Sequence, residues 1–361
     1  MTRPISFSLV AAAMSALPLI IGTPAALAEG EHRPDEHAPI AVMGDHYHEQ
    51  GEFMFSYRFM RMDMAGNRSG SSAIAPETIA TTVPNRFFGM PMQPPTLRVV
   101  PTSMTMDMHM LGLMYAPSDR VTLMAMTHYV DKEMEHVTFA GPAGTAELGR
   151  FVTEASGIGD TSLSALIRLK QTETSRWHAT IGVSLPTGDT DETDDVLAPT
   201  GMRPVLRMPY PMQLGSGSDD LLAGLTYSQI VSGSSSFGAQ WRSVVRLNDN
   251  DNGDGYRLGD EHRVTAWYAH MLTGRLSGSI RVEWYDRGNI SGIDPRIVAP
   301  VQTADPSRQG IERFDLGLGL NFVTESGHRF AIEYAIPVEQ RLDGPQLETD
   351  SQLTLGYQLS F

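Results

Sequence analysis

The stretch QLTLGYQLSF (352–361) alternates without a break: Leu353, Leu355, Tyr357, Leu359 and Phe361 fall on one face, and Gln352, Thr354, Gly356, Gln358 and Ser360 on the other. A period of two belongs to a β-strand, whose successive side chains point to opposite sides. One apolar face, closed by an aromatic with another four residues earlier, is the pattern of the last strand of an outer-membrane β-barrel. Phe361 and this strand are where the barrel-assembly machinery is expected to engage the chain.

The opposite end of the sequence fits an exported protein. Arg3 precedes an apolar stretch from Ile5 to Ile21, and Ala26-Leu27-Ala28 supplies the small-x-small pattern before a cleavage point. Pro18, Gly22 and Pro24 interrupt the apolar run, which is short for a bilayer-spanning helix. Residues 1–28 therefore read as a signal peptide, 29–50 as a periplasmic N-terminal segment, and 51–361 as the barrel. The chain has no cysteine, so it is held by backbone ladders and packing rather than by disulfides. After the signal no run of 18 apolar residues occurs, which excludes a helical membrane bundle. A net charge of −15 argues against nucleic acid as a partner.

Period-two stretches bounded by turn residues predict strands at 51–63, 104–115, 120–131, 157–170, 175–185, 219–231, 235–247, 260–272, 276–286, 311–322, 327–336 and 350–361. The connections between them alternate long and short. The short ones, such as Ala116–Asp119, Thr273-Gly274-Arg275 and Glu325-Ser326-Gly327, carry hairpin chemistry. A Greek-key sandwich has no reason to alternate in this way, whereas an up-and-down barrel has short turns inside and long loops outside. The expectation is an all-β fold: a transmembrane, antiparallel, up-and-down β-barrel of about 12 strands in the outer membrane of a Gram-negative bacterium, its apolar faces solvated by lipid.

The segments GIGDTSLSALIRLK (157–170) and ATIGVSLPTGD (179–189) resemble a strand pair of the outer-membrane transporter barrels grouped as the meta-pathway of phenol degradation family. VMGDHYHEQGEFMFSYRFMRMDM (42–64) and MTMDMHMLGLMYAPSDRVTLMAM (104–126) resemble a methionine-rich subgroup of it. The resemblance implies a channel or transporter for a small, partly apolar solute, aromatic or hydrophobic, and brings no defined binding residues with it.

The residues themselves offer two sets of candidates. On polar strand faces, Arg58, Asp107, His109, Arg168, His178 and Asp315 are expected to line the lumen. Met104, Met106, Met108 and Met110 alternate with Asp107 and His109, and are therefore expected to face lipid. Thioethers are soft ligands suited to Cu(I) or Ag(I). Met43, His46, His48, Met54 and Met60 form the candidate metal set, and a copper- or silver-handling protein is the alternative function. A structural or receptor barrel that transports nothing is the second alternative.

Two connections are too apolar for plain solvated loops: 65–103, with five prolines among Phe87, Phe88, Met90 and Met92, and 198–213, with Met202, Met208, Tyr210 and Met212. Both are expected to fold over or into the lumen and narrow it. The run from Asn250 to Glu261 nearly fits a calcium-loop pattern but reads as an Asx-rich hairpin turn. The sequence holds no G-x-S-x-G, H-E-x-x-H or P-loop, and an enzyme is not expected.

Overall fold

Strands pair with their sequence neighbours all the way round the sheet in a computed structural model that describes residues 33–248 and 252–361. They are β1 (Phe53–Gly70), β2 (Val99–Ser118), β3 (Val121–Phe139), β4 (Glu147–Ile158), β5 (Thr161–Gln171), β6 (Ser175–Leu185), β7 (Asp220–Ser232), β8 (Ser235–Arg246), β9 (Glu261–Thr273), β10 (Leu276–Arg287), β11 (Ile311–Val323) and β12 (His328–Ser360). The signal-peptide reading lies outside the described residues, as does Asn250 of the Asx-rich run.

β12 closes the cylinder by serving as two staves. Its first half pairs with β11, from Ile311↔Leu342 to Val323↔Arg329, and its second half returns along β1, from Met54↔Ser360 to Arg68↔Gln346. Between the halves Gly344 takes φ +74°, and Thr349 N–H donates to the Gln340 side chain at 2.9 Å. The long loop expected at 337–349 is thus a hairpin. Eleven strands close the barrel, and the doubled last one makes twelve staves. β4 lies outside the closed ring. It continues along the edge of β3 that β5 leaves, Tyr129↔Ile158 following Met126↔Ser162. Gly159 sits at that break because a Cβ there would come 1.9 Å from His128 Nε2.

The outward face reads as lipid-facing. On β11, Phe314, Leu318, Leu320 and Phe322 are exposed, while Arg313, Asp315, Gly317 and Asn321 point inward and are buried. From Phe314 to Phe322 the row covers ~27 Å along the strand, which after tilting matches the apolar band of an outer-membrane barrel. A Leu318→Arg variant is expected to lose ~2–4 kcal/mol of stability in lipid vesicles, measured by urea unfolding, because it puts a charge near the bilayer midplane.

β1, β2 and β3 run to 18, 20 and 19 residues, far beyond the ~9–11 that cross a bilayer. Their far halves stand beyond the apolar band, and this overturns one expectation. Asp107 and His109 face outward: Arg61 donates to Asp107 at 2.7 Å, and the Tyr57 hydroxyl lies 2.8 Å from His109 Nδ1. Met104, Met106, Met108 and Met110 point into the barrel, Met104 being buried. The alternation was right and the assignment of faces was reversed. Where a strand has left the membrane, its charged face is hydrated outside and its apolar face packs inside.

The long-loop end is capped. Helix α1 (Pro76–Thr82) buries Ile79 and Ala80 against Leu97, Val100, Val137 and Phe139. Buried Arg98 ties this cluster to the next loop by donating to the carbonyls of Ala80 at 2.9 Å and Gly144 at 2.8 Å. Phe87, Tyr210, Tyr256, Ile297 and Val301 from four loops form a second cluster. Arg207 bridges Asp254 at 2.9 Å and the buried Asp294 at 2.7 Å beside it. Of the two apolar connections, Met208 and Met212 descend onto Met104, Val130 and Met134, whereas Met90, Met92 and Met202 stay exposed.

Candidate functional site

Strand register makes the inner wall two-sided. Across β1, β2 and β3 the inward residues line up in rows: Met54–Met114–Met124, Arg58–Met110–His128, Met60–Met108–Val130, Met62–Met106–Lys132 and Met64–Met104–Met134. With Met126, twelve of the 21 methionines in the chain stand on this wall. Thioethers are flexible and polarisable, so such a surface adapts to varied apolar shapes.

The inner wall formed by β7–β12 is a ladder of buried ions. Arg246 pairs with Asp220 and, at 2.9 Å, with Glu261. Arg263 meets Glu283 at 3.1 Å, Arg281 meets Glu283 at 2.9 Å and Glu333 at 2.7 Å, and Arg313 holds Asp315 at 2.9 Å. The Arg263 guanidinium also lies 4.0 Å over the Tyr285 ring. Charges this deep persist because each has a partner. Among the described residues, the inner-wall cations Arg58, Lys132, Arg168, Arg242, Arg287 and Arg329 have no carboxylate within 4.0 Å. Arg58, Lys132, Arg287 and Arg329 donate to backbone carbonyls instead, and Arg168 lies over Tyr47.

The expected periplasmic segment instead occupies the barrel at its short-turn end. Residues 33–52 cross the lumen and are tied to the wall on many sides. Ser277 donates to Pro34 O at 2.9 Å, Arg329 to Ala38 O at 2.5 Å, Arg58 to Ile40 O at 3.0 Å and Gln240 to Met43 O at 3.0 Å. His178 Nε2 lies 2.9 Å from Gly44 O, and His48 N–H donates to Thr122 at 2.9 Å. The plug has almost no regular structure of its own, so its carbonyls take hydrogen bonds from inward-pointing Ser, Arg, Gln and His. Packing is close: a Cβ at Gly356 would fall 2.3 Å from Ile40. Between plug and methionine wall lies a cavity of about 10 Å³, lined by Asp45, Met54, Arg58, Met114, Met124 and Met126, with room for about one water.

The sequence candidates are distributed accordingly. Arg58 and His178 hold the plug, Arg168 stacks 4.5 Å over Tyr47 of the plug, and Asp315 belongs to the ion ladder. Asp107 and His109 lie on the outer face. Of the soft-metal set, Met54 packs with Met114 and Met124, while Met60 stands on another row and His46 and His48 lie in the plug. These five residues do not converge on one point.

Burial alone would raise the Asp45 pKa, but His46, Arg329 and His37 more than offset it and hold the carboxylate well below its ordinary range. Burial, helped by His46, pushes the His48 imidazole down to about 3. Sequence reasoning missed His37 and, apart from Asp315, the ladder. Alternation does place Arg242, Arg263, Arg281, Glu283 and Glu333 on inner faces, but which of them meet is decided by the pairing of separate strands.

A closed antiparallel cylinder with a lipid-type outer face, a capped long-loop end and a plugged short-turn end defines the class: a β-barrel of the outer-membrane type. The chain is similar in fold to the COG4313 outer membrane channel from Pseudomonas putida F1, at 13% identity, with 89% of this chain and 99% of that chain covered and a TM-score of 0.55. More distant are the β domain of the Bordetella autotransporter BrkA, at 10% identity, 86% and 100% coverage and 0.46, and the Pseudomonas putida toluene transporter TodX, at 11%, 87% and 90%, and 0.42. No protein-family model matches the chain, and no curated protein does.

Proposed function

We propose that the protein is an outer-membrane channel for a small amphipathic solute, of the kind handled by aromatic-compound transporter barrels, and that the plug must move for passage. The two-sided lumen carries this reading. A thioether wall receives an apolar body, while Arg242 is a lumenal cation with no carboxylate beside it, left for a polar or anionic group. A benzoate-like aromatic acid has this character; a sugar does not. The narrow gap between plug and wall makes the resting barrel a closed gate rather than an open pore.

The test is uptake of a labelled aromatic acid and of a neutral aromatic by a deletion strain carrying wild type or variants. Arg242→Ala is expected to slow the acid ~10-fold, the worth of one charge-assisted hydrogen bond, and the neutral compound much less. Met106→Asp with Met108→Asp should slow both. Equal loss for acid and neutral compound in Arg242→Ala, or wild-type conductance as large as a general porin's, would remove this reading.

The rows of thioethers favour a second reading, passage of Cu(I) or Ag(I) along the methionine wall. Unchanged copper and silver sensitivity of the deletion strain, together with no Cu(I) binding tighter than millimolar, would exclude it.

A further inference from the structure

We infer that the plug contains a binding site for a divalent transition-metal ion, Zn²⁺ or Cu²⁺, formed by His37, Asp45 and His46 with His48 beside them. One ligand atom from each of the first three lies within 4.8 Å of the others. The rings of His37 and His46 are 5.4 Å apart and those of His46 and His48 5.1 Å apart, both edge-on, so His48 stands next to the group formed by His37, His46 and the buried Asp45. Ligand atoms of a tetrahedral zinc site sit ~3.3 Å apart, so binding requires the group to contract by up to about 1.5 Å. That is within reach of side-chain rotation.

His48 supplies the second, independent observation. It is 5% exposed, and its Nε2 is buried without any hydrogen-bond partner. Its Nδ1 lies 3.3 Å from Glu52 Oε2. A carboxylate this close to Nδ1 favours the tautomer that leaves Nε2 with a free lone pair, the arrangement found behind metal-bound histidines. Asp45 is braced in the same way, accepting from Ala38 N–H at 3.1 Å and lying 2.9 Å from His46 Nδ1. The donor set of imidazoles and one carboxylate suits borderline ions and differs from the thioether wall, so this site stands apart from both readings of the channel. An ion there joins residue 37 to residues 45–48 and closes the plug's own loop.

The experiment uses tag-free mature protein in detergent, stripped with chelator, and titrated with Zn²⁺ or Cu²⁺ alone by calorimetry. The Cu²⁺ form is also examined by electron paramagnetic resonance. One ion per chain at micromolar Kd or tighter is expected, with nitrogen hyperfine structure from at least two imidazoles. His37→Ala and His46→Ala should each weaken binding at least ~10-fold, and Glu52→Gln, which touches no ion, by ~10-fold through His48. His109→Ala, on the outer face, should leave it unchanged. The inference is overturned if wild type binds no tighter than ~1 mM, if its copper spectrum lacks nitrogen couplings, or if the double His37→Ala, His46→Ala variant binds like wild type. The wild-type spectrum decides the matter even where a variant fails to assemble.

Discussion

A chain lacking residues 33–50 is expected to conduct ions in planar bilayers at least ~10-fold better than the intact protein, because a twelve-stave cylinder is wide enough for a lumen once its filling is gone. The wall should survive the deletion, since all of its ladder hydrogen bonds run between strands and none through the plug. Heat-modifiable migration on gels checks that the barrel is still closed. The residues left behind, Ser277, Gln240, Arg329 and His178, are hydrophilic and would be rehydrated. In the intact chain, a cross-linked control carrying Asp35→Cys and Ser236→Cys, placed where Ser236 now donates to Asp35 O, should pin the segment to the wall and keep conductance low. If deletion leaves conductance unchanged, the cap at the long-loop end is the real barrier, and attention moves to Met208 and Met212.

The largest effect on stability should come from Glu283. Its carboxylate meets Arg263 at 3.1 Å and Arg281 at 2.9 Å, accepts from Thr265 at 2.9 Å, and is 12% exposed. Glu283→Ala removes the shared anion from between the buried Arg281 and the half-buried Arg263 guanidinium groups and is expected to cost ~3 kcal/mol, measured as unfolding free energy in lipid vesicles. Glu283→Gln, which can keep the Thr265 contact, should cost less. Replacing Arg263 and Glu283 together by methionine should be close to neutral, because Arg281 keeps Glu333 and no charge is newly left without its partner. Equal losses in the single and double variants would show that side-chain volume, not charge pairing, is what the ladder supplies.

These two predictions draw on different parts of what could be read beforehand. The staves were legible because a strand with one face in lipid must alternate, so Phe314 to Phe322 and Leu353 to Phe361 declare themselves. The first ten expected strands each fall on an observed one, several of which run further, and the last two prove to be halves of β12. Periodicity reveals two faces but not which one is outside. For β2 the usual assumption, apolar outward, failed beyond the membrane boundary, and it turned Met104 to Met110 and Asp107 to the wrong sides. The plug was illegible for another reason: 33–52 has no period at all, and its place is set by hydrogen bonds from six staves, all but β1 far from it in sequence.

By itself, then, the sequence determined the alternation, the hairpin turns, and therefore a membrane-type cylinder of about twelve staves. Only the tertiary structure decided what the cylinder contains. Register across β1, β2 and β3 sets single methionines into rows, register across β10, β11 and the first half of β12 brings Arg281 to Glu333, and the folded-in segment meets Arg329 and gathers His37, Asp45, His46 and His48. The physical reason is that a strand's pattern depends on its solvent, which is local, whereas contacts across a lumen depend on the stagger of every strand around the ring.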